Sequence, residues 1–517
     1  MQKQGKQDQN QGRHTAAYIR GQKDELMQSV RGPQPDSALD SFYKDMAALC
    51  SRPESCIDHM HLNAIIGATA KAWRTSWAQS AGQKQKQAHH QMHAFLTEMF
   101  QRLQPLLPDV EARQAANILW SSAQLGLNPD ALVPGMTDSL ARQFMVDMDV
   151  ATGQGFANVL VACAKLQLSP CQGQLFKAIL NRLAIADLSN FEPQHVSNTL
   201  HSLATIPAAA PSVEVLDALC QRFDILLKRH QTAEFPNAQS IANTMWALSK
   251  LKYAPSDELA MSMVGRMVAL CGLPGHHPKP QEISNCLLAC AELRLLVNQA
   301  ITDSLASFLL SSNGWQATPQ AYANTAWSLA VTGHLRSAQF TSLLDQMLAL
   351  SGTPGDMSTT PFLTTIELGQ LYQALDWLQP APTAPAQQQA AWSSLEGKLQ
   401  RLGPRPAPPK PPVHGNRKLC AALDQLQLPF KATVFTQSYW LDAVLQPQDN
   451  KSQPVMLRLF SPDYITNIPG RSCSTLTDWS SLLNVVFASC CICISLSANY
   501  KLFVPALAFA CNLNQGT

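Results

Sequence analysis

One motif, written seven times, constrains this chain more than anything else in it. AQSIANTMWALSKLKYAP, Ala238 to Pro255, recurs as RQAANILWSSAQLGLNP from Arg113, QGFANVLVACAKLQLSP from Gln154, QHVSNTLHSLATIP from Gln194, QEISNCLLACAELRL from Gln281 and QAYANTAWSLAVTGHL from Gln320. A fainter copy, HLNAIIGATAKAW, begins at His61. Aligned on the shared asparagine, the copies fall at Asn63, Asn117, Asn158, Asn198, Asn243, Asn285 and Asn324, with spacings of 54, 41, 40, 45, 42 and 39 residues. Self-similarity at about 40 residues is the mark of a unit that cannot bury its own apolar face and must stack on its neighbours.

Counted from the asparagine, positions −2, +1, +2, +5, +6 and +8 are apolar or small, in the central copy Ile241, Thr244, Met245, Leu248, Ser249 and Leu251. That spacing covers one side of a 3.6-residue helix and predicts a buried face. Position −1 is Ala or Ser (Ala116, Ala157, Ser197, Ala242, Ser284, Ala323), which lets neighbouring helices approach closely. Proline at Pro193, Pro280 and Pro319 fits the first helical position, where its missing N–H costs nothing. A second helix follows each first one: QLFKAILNRLAIADL from Gln174, SVEVLDALCQRFDILLKRH from Ser212, DELAMSMVGRMVALC from Asp257 and AQFTSLLDQMLALSG from Ala338. The expected fold is therefore all-α, an α-solenoid of paired-helix repeats with function on its concave face.

The remaining stripe, at −3, 0, +4 and +7, holds Asn at 0 and Ser or Ala at +4, while its outer columns vary. Position −3 reads Gln114, Gly155, His195, Ser240, Glu282, Ala321, and position +7 reads Gln124, Lys165, Thr205, Lys250, Glu292, Val331. A constant framework (Asn63 and the six later asparagines) beside a variable polar pair suits a modular reader of single-stranded RNA. The candidate contacts are Gln114, Gln124, Lys165, His195, Thr205, Ser240, Lys250, Glu282 and Glu292. The same residues also suit plainer roles: asparagines laddered between repeats, Trp120, Trp246 and Trp327 as packing anchors, Gln154, Gln194, Gln239, Gln281 and Gln320 supporting helix starts, and the variable columns as a solvated face.

Charge and cysteine usage narrow the alternatives. A net charge of +2 gives no bulk cationic field, so nucleic acid would have to be held by a local surface, and histone-like binding is disfavoured. The fourteen cysteines form neither a CxxC pair nor a disulfide framework and sit within repeats, as at Cys163, Cys286 and Cys290, which points to a reducing compartment. His89, His90 and His93 have helical spacing, but no Cys or carboxylate completes a metal site, and a solvated helix face is the better reading. The N-terminus, residues 1–35, has Lys3, Lys6, Arg13, Arg20 and Lys23 against Asp8 up to Lys23, and is either a weak organelle transit peptide or a disordered tail.

The ANxLWALxKLxxxP unit resembles the octotricopeptide repeat of algal organelle proteins, which is related to the helical repeats of FAST-kinase-like proteins. The likeness covers about residues 110 to 350 and is best in IANTMWALSKLKYAP, AANILWSSAQLGLNP and YANTAWSLAVTGHL. It implies an RNA-binding protein of the chloroplast, or else the mitochondrion, acting in transcript processing, stability or translation or in ribosomal RNA maturation, alone or with ribonucleoprotein partners.

On this reading residues 36–104 are a degenerate helical repeat, 105–378 the solenoid, and 379–414 a proline-rich spacer around a single helical segment, QQQAAWSSLEGKLQRL. TTIELGQLYQALDWL is a last helix in repeat register, with Gln370 in place of Asn. Residues 415–483, a helix and then strands, are similar to the start of a RAP domain, a small α/β module whose fold resembles restriction-type nucleases. Such chemistry needs two or more carboxylates on a divalent metal. Arg458 and Phe460 stand where the resemblance expects acids, leaving Asp442 alone, so neither catalysis nor a metal or other cofactor is expected. The apolar tail, 484–517, is weighed as a membrane anchor, but SLSANYK interrupts it and no basic flank follows; a truncated RAP domain is preferred, and membrane association is not expected. The competing function class is a protein-scaffolding solenoid without RNA readout.

Overall fold

A computed structural model of the chain describes residues 2–31, 35–52, 56–77, 83–167, 172–206, 211–229, 236–311, 317–351, 362–380, 384–406, 430–436, 439–445, 455–460 and 491–496. Its helices are α1 (Gln2–Ser29), α2 (Pro35–Cys50), α3 (His59–Trp77), α4 (Gln83–Leu103), α5 (Ala112–Leu125), α6 (Pro129–Leu132), α7 (Met136–Val146), α8 (Gly153–Leu166), α9 (Gln172–Ile185), α10 (Pro193–Thr205) and α11 (Val213–Arg229). There follow α12 (Ala238–Lys250), α13 (Asp257–Cys271), α14 (Pro280–Glu292), α15 (Gln299–Ser311), α16 (Pro319–Val331), α17 (Ser337–Leu350), α18 (Thr365–Trp377) and α19 (Ala386–Leu402). The chain divides into two units, residues 1–236 and 237–517, so the stretch 105–378 is shared between two bodies.

Each unit is a double layer of consecutive helix pairs. In the first, α1, α3, α5, α8 and α10 pack in sequence as one layer, while α2, α4, α6, α7, α9 and α11 make the other. In the second, α12, α14, α16 and α18 form one layer, and α13, α15, α17 and α19 its partner. The motif helices have the more intimate contacts, because position −1 is Ala or Ser and position +4 is Ser or Ala, all of them buried. Small side chains allow the backbones to approach, and the side chains at −2, +2 and +5, large and apolar in most copies, are buried beside them.

How each first helix ends is as regular as how it begins. Position +9 is left-handed in five copies: Gly126 (φ 67°), Gln167 (46°), Lys252 (55°), Arg294 (55°) and Gly333 (77°). In four of them the next N–H returns to the carbonyl at +5, as Leu127 to Ser122 (3.0 Å), Tyr253 to Leu248 (3.0 Å), Leu295 to Cys290 (2.9 Å) and His334 to Leu329 (2.8 Å). This is the Schellman closure of a helix C-terminus, and Leu127, Tyr253 and Leu295 are buried beneath it. Pro193, Pro280 and Pro319 open their helices as expected, and Thr152, Asn237 and Thr318 cap theirs by accepting from the amide three residues on.

Two boundaries differ from the sequence reading. Residues 2–29, expected to be disordered or transit-like, form α1, which packs on α3 and buries Thr15, Ile19 and Leu26, with Val30 just beyond it. That stripe is only one side chain wide, so the Gln- and Lys-rich composition concealed it. The segment assigned to the spacer is α19, the second helix of the last pair: it buries Leu395 and Leu399, Trp392 Nε1 donates to the Leu375 carbonyl (3.1 Å), and Lys398 meets Asp345 at 2.6 Å. Just beyond it, Arg405 grips Asp376 with two hydrogen bonds of 2.8 Å and lies over the Tyr372 ring at 4.5 Å, so the proline-rich spacer starts later than residue 379.

Four strands, β1 (Phe430–Thr436), β2 (Tyr439–Leu445), β3 (Val455–Phe460) and β4 (Cys491–Leu496), form an antiparallel sheet in that order, with Ala443 opposite Leu457 and Leu457 opposite Ile494. Asp442 falls in β2, and Arg458 and Phe460 in β3. The helix expected after residue 415 lies outside the described residues, as does the apolar tail apart from β4. Among the described residues no helix is long and apolar enough to cross a membrane.

The left-handed column is directly testable. A non-glycine residue in this conformation is strained by about 1 kcal/mol. Gln167→Gly, at an exposed position, is expected to raise unfolding free energy by about 0.5–1 kcal/mol, and the β-branched Gln167→Val to lower it, both measured by urea denaturation.

Candidate nucleic-acid interface

Burial along the first helices identifies the face that is free to meet a ligand. In α12 the side chains not fully buried from Ala238 to Lys250 are Gln239, Asn243, Trp246 and Lys250, at positions −4, 0, +3 and +7. The same four positions define the outward face of α5 (Arg113, Asn117, Trp120, Gln124), α8 (Gln154, Asn158, Val161, Lys165) and α10 (Gln194, Asn198, His201, Thr205). In α14 and α16 the pattern holds for Gln281, Asn285, Glu292, Gln320, Trp327 and Val331, whereas Leu288 and Asn324 are buried.

The expected stripe at −3, 0, +4 and +7 is thus rotated off the outward face. One residue is about 100° of helix, so −4 and +3 flank the outward line where −3 and +4 turn inward. Position −3 is the third residue of each helix, and its side chains serve the helix start. The Glu192 amide donates to His195 Nδ1 (3.2 Å) and the Lys279 amide to Glu282 Oε2 (2.8 Å), while Gln114 and Ser240 are buried. Burial pushes the His195 pKa down and the Glu282 pKa up, since each charged form loses water there.

Asparagines at 0 and side chains at +7 pair along each stack. Asn158 Nδ2 donates to Asn117 Oδ1 (3.2 Å), and Gln370 Nε2, in the equivalent place on α18, donates to Asn324 Oδ1 (2.9 Å). Both bonds run from the later helix to the earlier one, so the ladder joins amide to amide. At +7, Lys165 Nζ donates to Gln124 Oε1 (3.1 Å), and Lys250 forms an ion pair of 3.0 Å with Glu292, which also accepts from Ser249 Oγ at 2.6 Å. Trp327 Nε1 at +3 donates to Gln373 Oε1 (2.7 Å), which holds the indole against the next helix. Columns 0, +3 and +7 are therefore cross-linked between neighbouring helices at these pairs.

Asn63 does not join this framework. In α3 the outward residues are Met60, Ala64 and Lys71, with Gly67 half-buried, while Ile66 and Ala70 are fully buried. That face is centred one residue later, so Ala64 takes the place the asparagine has elsewhere. His89 and His90 are exposed on α4 and His93 half-buried, and among the described residues no group of three or more His, Cys, Asp or Glu could hold a metal ion. The outward columns left out of the expected stripe are those at −4, whose glutamines also suit phosphate contact, and +3. The repeated glutamine and tryptophan were visible there, but constancy was read as support and variability as surface.

Histidine burial gives this face a pH dependence. His195 and His201 both have pKa values lowered by burial. The unfolded chain then binds protons that the folded chain resists, so the stability these groups contribute is present above about pH 6.5 and lost as pH falls through that value. Chemical denaturation between pH 7.5 and 5 is expected to show this loss, and His195→Gln with His201→Gln to flatten it.

Compared with known proteins, the chain matches no family model and no curated protein.

Proposed function

We propose that this chain is an octotricopeptide-type RNA-binding protein that holds single-stranded transcripts of a chloroplast or mitochondrion and acts, without catalysis of its own, in their processing, stability or translation. The observation that carries this reading is the outward face itself. Successive first helices offer an amide or Arg at −4, an amide at 0, a half-buried tryptophan or histidine at +3 in most copies, and a varied side chain at +7. Carboxamides supply the paired donors and acceptors that match base edges, and aromatic rings supply stacking surfaces for unpaired bases. The contacts proposed are thus Gln124, Lys165, Thr205, Lys250 and Glu292 at +7, joined by the −4 and +3 columns, and no longer the helix-start residues Gln114, His195, Ser240 and Glu282. The likeness of residues 415–483 to a RAP domain supports the same assignment, and Arg458 and Phe460 in place of acids support a non-catalytic role for it.

A scaffold for protein partners is the second reading, favoured by the Lys250–Glu292 pair, which neutralises one of the few charges on the second unit's face. Crosslinking and immunoprecipitation of the tagged protein, with sequencing of recovered RNA at nucleotide resolution, separates the two. A footprint of several nucleotides on one or a few organelle transcripts is expected; protein partners with no RNA footprint would establish the scaffold. On the recovered RNA, Trp246→Ala with Trp327→Ala should weaken binding at least tenfold while Trp246→Phe retains most of it, since one stacked base contributes about 1–3 kcal/mol.

A further inference from the structure

Apart from α1, which carries both signs (Asp8, Asp24 and Glu25 among its lysines and arginines), the two first-helix layers differ in charge in a way that the chain's near-neutral total hides. In the first unit α3, α5, α8 and α10 contain Lys71, Arg74, Arg113 and Lys165 and no Asp or Glu. In the second, α12, α14, α16 and α18 contain Lys250 alone against Glu282, Glu292, Glu367 and Asp376. Lys71, Arg74, Arg113 and Lys165 are all exposed, and among the described residues none meets a carboxylate at ion-pair distance. Lys165 extends to Gln124 on α5, the helix between α8 and α3, and feels the charge of Arg74 at the end of α3. Two cations are thus brought towards each other across three adjacent helices. Favourable placement at a helix C-terminus accounts for Arg74 and Lys165 singly, but not for four helices without one acid.

We propose that the first-helix layer of the first unit, through Lys71, Arg74, Arg113 and Lys165, is the track for the phosphate backbone of single-stranded RNA, and that the corresponding layer of the second unit engages RNA without net phosphate neutralisation. This rests on the RNA-binding reading above. Each phosphate neutralised on a single strand releases counterions and adds about 0.7 to the slope of log affinity against log salt. The second layer, its one cation already neutralised by Glu292, contributes through amides and aromatic rings, which depend little on salt.

The test is the affinity of the full-length protein for the crosslinked RNA, made as a labelled single-stranded oligonucleotide, between about 50 and 200 mM salt. Arg74→Ala with Lys165→Gln is expected to reduce the slope by about 1.4 and low-salt affinity at least tenfold, whereas Lys177→Gln, an exposed cation on α9 in the other layer of the same unit, leaves the slope unchanged. Lys71→Gln with Arg113→Gln, on other turns of the same face, gives the same reduction and stands in if the first pair fails to fold. An unchanged slope in both double variants, or an equal loss in Lys177→Gln, would overturn the track while leaving the RNA-binding reading in place. Wild-type protein that binds no single-stranded RNA would sink that reading itself.

Discussion

Close approach of the first helices is the constraint on which the rest of the molecule depends. Ala or Ser at −1 and Ser or Ala at +4 bring neighbouring backbones together, and large side chains on that flank would hold them apart. Because the helices are close, polar side chains at equivalent positions come within hydrogen-bond reach: Asn158 finds Asn117, Gln370 finds Asn324 and Lys165 finds Gln124. Lateral pairing is a consequence of spacing, and it ties neighbouring helices together at matched positions of the outward face.

The left-handed residue at +9 does the complementary work. It turns the chain sharply at the same point of five repeats, so that the second helix returns to the second layer. Glycine occupies this position at Gly126 and Gly333, whereas Gln167, Lys252 and Arg294 adopt it at a conformational cost. Lys252 and Arg294 are held there by the Schellman hydrogen bonds and the buried Tyr253 and Leu295 that follow them, and Gln167 by its own N–H, which donates to the Cys163 carbonyl. Periodicity alone did not disclose the column, because its signal is backbone geometry and three of its five members have ordinary side chains.

Much of the helical architecture was legible because it rests on period and residue size: the paired helices, the buried columns, the proline starts and the repeat-like register of Gln370. What escaped rested on context. Position −3 looked like surface because its residues are polar and vary, yet it is the third residue of a helix, where unpaired amides attract polar side chains inward, as with His195 and Glu282. Asn63 looked like a framework residue because its letter matched, although the burial of Ile66 and Ala70 shows that its helix is turned by one residue. α1 was hidden by composition, and α19, expected as a helix within the spacer, was not expected to pack on the stack, since a helix that buries only a few side chains has little hydrophobic signature of its own.

The charge distribution completes the picture, because it too became visible only when residues were assigned to layers. Counting over the whole chain gives +2 and suggests indifference to polyanions. Counting over α3, α5, α8 and α10 gives four cations with no acids in one unit, and counting over α12, α14, α16 and α18 gives one paired cation and four acids in the other. Electrostatic attraction acts over roughly a Debye length, about 8–10 Å at physiological salt, so a ligand lying on one face responds to that face far more than to the total. A repeat array can therefore remain near neutral, and so soluble at modest self-repulsion, while keeping a cationic edge where it meets an anionic polymer. The arrangement requires only that acids be excluded from a few helices, and the absence of any carboxylate from α3, α5, α8 and α10 is that exclusion.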